Sequence, residues 1–220
     1  ISKILKKKKS RSKKKSIVCI IPLNKPIKFN EKYLVEKTIN DIKKVREISK
    51  IFISTNDEKI RKKIKGKKVK FLQRDKDLQK EFLGIEYVLS KIYSRHIKKF
   101  NPSHVIVAEE IYLNRPKNFF QDIINSFDDN YESVVPIFKN SSNNIWKKDN
   151  EGVLQPLFKT SLPSEFVDHK IFEEAKGLGT LIKAEVFENS GRESNSQKFI
   201  EVDKKNTITT KEIINIDLDW

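Results

Sequence analysis

The chain of 220 residues carries 46 Lys and Arg against 30 Asp and Glu, a net charge of +16 at pH 7, with 37% hydrophobic residues. That length suits one ordinary domain with a substantial core, the few glycines and prolines exclude a fibrous or low-complexity chain, and no apolar run approaches the roughly 20 residues that span a bilayer. Cys19 is the single cysteine, which excludes an internal disulfide and points to a reducing, cytoplasmic setting.

Nine basic residues fall within residues 1–15, where there is no acid, leaving +7 on the rest of the chain. A block of this density repels itself and reads as a disordered tail. No apolar signal segment follows it. It suits a solvated tail or linker, or a non-specific contact with nucleic acid or an anionic membrane surface.

From residue 16 the signals alternate. Residues 16–22 form an apolar strand in which Cys19 reads as a core thiol, and Val35, Ile39, Ile42 and Val45 make a helical stripe. A second strand, 50–55, is rich in β-branched residues. Asn56 and Asp57 then offer N-caps for a short helix through Ile64. Residues 68–72 give a third strand, and Phe82, Ile85, Leu89 and Ile92 one face of the next helix. A fourth strand covers 104–110. Pro116 suits a first helical turn, followed by Phe119, Phe120, Ile123, Ile124 and Phe127 on one side, and 131–138 is the fifth strand. This alternation predicts a mostly parallel sheet with helices on both faces, whose ligands bind beyond the carboxyl ends of the strands. From residue 140 the pattern breaks into polar loops and short strands, read as an extension over about 140–195 on a domain covering 16–220.

Several segments in order resemble the sugar cytidylyltransferases, the family of CMP-sialic acid and CMP-Kdo synthetases. "IVCIIP" resembles the opening strand, "VEKTINDIKKVREISKIFISTNDEKI" the helix, strand and turn that follow, and "VKFLQRDKDL" the next strand with its arginine. "HVIVAEEIYLNRPKNF" is similar to the strand carrying substrate and metal residues, "ESVVPIFKN", "NIWKKDNEGVLQPLF" and "GLGTLIKAEVFENSG" to the later strands and dimer-forming extension, and "NIDLDW" to the terminal strand. The resemblance implies a Rossmann-like α/β nucleotidyltransferase sandwich with a mostly parallel sheet and a small dimerisation extension. It also implies CTP as substrate, Mg²⁺ as cofactor, and transfer of CMP to an acidic sugar such as sialic acid or Kdo for surface glycans. A homodimer is implied, with no specific nucleic-acid partner and no transmembrane segment. Attack on an α-phosphate depends on cations and backbone donors more than on a protein nucleophile.

The family's phosphate loop is rich in glycine, which lets backbone amides approach the phosphates. Here the stretch "PLNKPIKFNEKYL" has no glycine and is shorter. Lys25, Lys28 and Lys32 supply charge there or are solvated lysines, and Pro26 lacks a donor. The resemblance assigns catalysis to Lys25 and Arg74, nucleotide contacts to Lys25, Lys28, Lys32 and Asn56, and metal ligation to Glu110, Asp217 and Asp219. Each has a plainer alternative: Arg74 as a surface residue, Asn56 and Asp57 as helix caps, Glu110 as an exposed strand end. Adjacent Glu109 and Glu110 point to opposite faces, so at most one meets a metal. Asn114 falls opposite a family arginine, with Arg115 one residue away, and the terminal pair is either 215/217 or 217/219. Histidines 96, 104 and 169 match no metal motif, and Trp146 and Trp220 read as packing residues. A catalytically degenerate binding or dimerisation module, and a nucleic-acid contact through the tail, are the rival functions.

Overall fold

The computed structural model describes residues 16–24, 26–29, 32–80, 82–112, 114–140, 146–148, 154–156, 171–207 and 209. The first strand, β1 (Ile17–Pro22), is apolar on both faces because it lies inside the sheet, and its first five residues are buried. A small hairpin follows, β2 (Lys28–Phe29) with β3 (Lys32–Tyr33), and leads directly into α1 (Leu34–Lys43). Next come β4 (Ile48–Ser54), α2 (Glu58–Lys63), β5 (Val69–Leu72) and α3 (Ile85–Ile92), which widens into a π turn over Tyr93–Ile97. Then follow β6 (His104–Val107), α4 (Phe119–Ser126) and β7 (Ser133–Asn140). A separate antiparallel pair, β8 (Trp146–Lys148) and β9 (Leu154–Pro156), precedes β10 (Ile171–Glu174), α5 (Lys176–Gly179), β11 (Thr180–Lys183), α6 (Ala184–Ser190) and β12 (Gln197–Val202).

In the central sheet β5, β4, β1 and β6 lie side by side and parallel. Beside β6 comes β11, antiparallel both to β6 and to the start of β7. Along that same edge of β7, β10 continues antiparallel where β11 stops, while β12 runs parallel along the other edge. The sheet is thus mostly parallel, as expected, with β10 and β11 reversed.

Alternate residues of β1 serve opposite faces. Ile17, Cys19 and Ile21 pack with Val35, Ile39 and Ile42 of α1, Ile60 of α2 and Phe119 and Ile123 of α4. Val18 and Ile20 pack with Val88, Leu89 and Ile92 of α3 and Phe187 of α6. Each such buried side chain contributes roughly 1.5–3 kcal/mol through removal of apolar surface from water. Cys19 is fully buried, and burial pushes its thiol up to about 12, so it is a core residue and unreactive.

Three expectations need correction. Phe82 is 81% exposed and lies outside α3, because the extended backbone at Gly84 ends the stripe two residues after it. The fourth strand stops at Val107, short of 110, and Pro116 precedes α4 in a turn, where its carbonyl accepts from the Phe119 amide. Within the stretch read as an extension, β11 and α6 lie at the centre of the domain. Leu181 and Ile182 are almost completely buried, one on each face. Leu181→Ala and Ile182→Ala should each lower unfolding free energy by about 2–5 kcal/mol in urea titrations, whereas a peripheral strand would lose much less.

Candidate active site

The carboxyl ends of β1, β4 and β5 meet through hydrogen bonds. The Leu23 amide donates to Ser54 O at 2.9 Å, and the Thr55 amide to Leu72 O at 3.0 Å. Arg74, two residues beyond β5, lies over this edge and is only 9% exposed. Its Nε donates to Ser54 Oγ at 3.1 Å and its Nη1 to Asn24 Oδ1 at 3.4 Å. Its backbone amide donates to Asn56 Oδ1 at 2.9 Å, and its carbonyl accepts from Gln79 Nε2.

All these side-chain acceptors are neutral. The nearest acids in sequence, Asp75 and Asp77, are held by Arg95 at 2.7 and 2.8 Å. Among the described residues no carboxylate pairs with Arg74, and burial alone draws its pKa below the ordinary arginine value. A buried guanidinium carrying an uncompensated charge is costly, and an anion at the site would relieve that cost. The surface alternative for Arg74 is therefore excluded. Asn56 receives the Arg74 amide, while Asp57 caps α2, its Oδ1 accepting from the Lys59 and Ile60 amides at 2.7 and 3.1 Å. One of the two expected caps is a cap; the other braces the arginine.

In the connection after β1, Lys28–Phe29 and Lys32–Tyr33 pair as a hairpin. Lys28 and Lys32 are exposed on its two strands, with Lys28 Nζ 5.2 Å from the centre of the Tyr33 ring. Lys25, Asp217 and Asp219 lie outside the described residues, as do His169 and Trp220. The hairpin also covers Glu110. The Ile27 amide donates to Glu110 Oε1 at 3.2 Å, and Oε2 is buried without a partner. Burial raises the Glu110 carboxyl to about 7, the Ile27 and Val35 amides pulling only part of the way back. Glu110 is thus not an exposed strand end.

Glu109 turns away to a different task. Its Oε1 accepts from Arg192 Nη1 at 2.6 Å, and Arg192 also clasps Glu86 through Nε and Nη2 at 2.9 and 2.8 Å. Burial works against the Arg192 charge, but the two carboxylates outweigh it and hold its pKa above the ordinary value. Two glycines permit this clasp. Gly191 has φ 64°, and a Cβ there would lie 2.6 Å from Glu86 O; a Cβ on Gly177 would lie 2.7 Å from the Glu109 carboxyl carbon. Arg115, the alternative to Asn114 for the family arginine, donates to the carbonyls of Leu178, Tyr112 and Glu109 and to Thr38 Oγ1 at 2.7–3.2 Å. Burial lowers its pKa to about 10. Asn114 accepts from Lys37. Arg115 is a fastener of loops. Ser54, Glu86 and Arg192 were not singled out from the sequence, and for Arg192 the local signal was the "SGR" turn.

No group of three His, Cys, Asp or Glu among the described residues converges on a metal position. The unpartnered Oε2 of Glu110 is one oxygen suited to a hard cation such as Mg²⁺, with further ligands required from elsewhere.

Comparison with solved structures finds the same fold in several nucleotidyltransferases of low sequence identity. The chain is similar to 4-diphosphocytidyl-2C-methyl-D-erythritol synthase from Anaerococcus prevotii, at TM-score 0.65 and 15% identity over 94% of this chain and 97% of the other. It is also similar to a CMP:2-keto-3-deoxy-manno-octonic acid synthetase complexed with CTP, at TM-score 0.64 and 11% identity over 92% and 96%. A more distant likeness is to a putative glucose-1-phosphate thymidylyltransferase from Bacillus anthracis, at TM-score 0.55 and 10% identity over 92% and 94%. No family profile and no curated protein sequence matches the chain. The fold is cytidylyltransferase-like.

The raised Glu110 carboxyl predicts a pH effect. Unfolded, the group titrates near 4.5; folded, near 7. Between these values the native state retains a proton that the unfolded chain releases, so stability falls as pH rises through the window. In metal-free buffer, wild type should lose on the order of 2 kcal/mol between pH 5 and pH 8 relative to Glu110→Gln, whose amide oxygen can still accept from Ile27. Parallel pH profiles for the two proteins in urea unfolding would show that Glu110 titrates normally.

Proposed function

We propose that this protein is a nucleotidyltransferase that binds CTP at the carboxyl edge of the sheet and transfers CMP to an acidic sugar. The observation that carries this reading is Arg74: a buried guanidinium, directed by Ser54 and Asn24, with no carboxylate among the described residues to neutralise it. The likeness in fold to a synthetase complexed with CTP supports it. The Arg74 guanidinium would neutralise phosphate oxygens, and Asn56 would keep the arginine's backbone in place. Lys25, Lys28 and Lys32 would add charge from the connection after β1. Glu110, Asp217 and Asp219 would hold Mg²⁺, whose charge assists departure of pyrophosphate. The sugar hydroxyl would attack the α-phosphate in line, with the protein positioning the reactants and not forming a covalent bond. A homodimer in the cytoplasm is the expected setting.

One observation favours a second reading. The glycine-free connection after β1 pairs as a hairpin and its Ile27 amide occupies Glu110 Oε1. That arrangement suits a degenerate homologue that retains the fold as a binding or dimerisation module.

Calorimetry with CTP and Mg²⁺ should show binding that weakens at least tenfold in Arg74→Ala, consistent with loss of a charged hydrogen-bonding partner. Pyrophosphate release should accompany addition of a 2-keto acidic sugar. Binding without turnover across a panel of such sugars selects the module, and equal affinity of wild type and variant removes Arg74 from the site.

A further inference from the structure

The amino edge of the sheet carries a second concentration of charge, on the side away from the candidate active site. Residues 61–70, "RKKIKGKKVK", hold seven basic residues and no acid. Their last lysine, Lys70, is the second residue of β5 and pairs with Phe52. From there it reaches the Phe100 ring, 4.8 Å from its centre. Lys50 of β4 and Lys99 approach the same ring at 5.3 and 5.7 Å. Three ammonium groups therefore crowd one aromatic side chain, any two of them within roughly one Debye length.

The ring itself rests on Phe52, centres 5.4 Å apart, so it is anchored in the core and fixes the place where the lysines gather. None of the three lysines pairs with a carboxylate among the described residues, whereas nearby Lys98 does, with Glu188 at 2.7 Å. Lysines on β5, an outer strand of the sheet, are explained in part as protection against edge pairing. That purpose does not require lysines from β4 and from the chain before β6 to converge on the same ring.

We propose that this amino-edge face docks on an anionic lipid bilayer. The ring is already covered by cations, so it is poorly placed to stack a nucleobase, and lysine point charges on long stems suit a surface of mobile headgroups better than they read an ordered nucleic acid. The cluster opens at the edge where the chain enters the fold: Ser16 O accepts from the Ser103 amide at 2.8 Å, three residues after Phe100. Nine basic residues directly precede Ser16 in sequence. No helix among the described residues is long and apolar enough to cross a membrane, so the contact is peripheral. It leaves the carboxyl edge, with Arg74, facing away from the bilayer. This inference is independent of the reaction proposed above.

The full chain should co-sediment with vesicles of phosphatidylcholine containing about a third phosphatidylglycerol, and not with phosphatidylcholine alone. Each lysine near such a surface is worth roughly fivefold in partitioning. The triple variant Lys50→Gln, Lys70→Gln, Lys99→Gln should therefore bind at least tenfold more weakly, with an unchanged thermal transition by circular dichroism, and the triple Arg variant should retain binding. As a readout that needs no variant, vesicles should protect Lys50, Lys70 and Lys99 of the wild type from acetylation. Equal binding of wild type and a folded Gln variant overturns the proposal, as does unprotected acetylation of the three lysines. So does an RNA oligonucleotide whose binding falls with the triple variant while vesicle binding does not.

Discussion

The hydrogen bonding of β11 on both its edges is the constraint on which the remainder of the domain depends. Residues 180–183 lie antiparallel between β6 and the start of β7, so the two parallel strands join one sheet only through them. Once β11 is in place, the segments on either side of it are positioned as well. Ahead of it, Gly177 O accepts the Glu109 amide and Leu178 O accepts from Arg115. After it, α6 packs on the α3 face and ends at Gly191, which turns Arg192 onto Glu86 and Glu109. The carboxyl end of β6 is thereby gripped from several directions, and Glu110 has little freedom to move.

Charge is arranged in opposite ways at the two edges of the sheet. At the carboxyl edge one arginine is buried among neutral acceptors, its neighbouring aspartates held by Arg95. Burial there reduces screening by solvent and strengthens any interaction with an incoming anion. At the amino edge the lysines are numerous, mostly exposed and screened by salt, and they attract through number and not through enclosure. The first arrangement suits a small phosphorylated ligand held in one orientation, the second an extended surface.

Glu110 connects the hairpin to the chemistry proposed for the site. An acid with one oxygen bound to the Ile27 amide and the other unsatisfied is destabilising when charged. The hairpin joins the core through Tyr33. With Tyr33 buried beneath Lys28 and Lys63, it stands as a packed element in its own right.

Much of the architecture was legible in the sequence because burial follows the period of each element. The apolar run around Cys19 could only be an interior strand, the stripe of Val35, Ile39 and Ile42 could only be a helix face, and Asp57 caps α2 through atoms two and three residues away. Arg74 was named from the resemblance, whereas Glu109 and Glu110 lie beyond the end of β6, so their different partners follow from tertiary contacts and not from strand alternation. What tertiary structure alone decided involves partners distant in the chain. Nothing within "GTLIK" tells that it separates two strands from elsewhere, since a four-residue apolar segment suits an edge as well as a centre. Arg115 and Asn114 were indistinguishable until three carbonyls and Thr38 claimed the arginine. The absence of a carboxylate beside Arg74 among the described residues, and the gathering of Lys50, Lys70 and Lys99 on Phe100, are facts of three-dimensional proximity. Local sequence sets which residues are apolar and where the chain turns; which charges meet is settled only when the sheet closes.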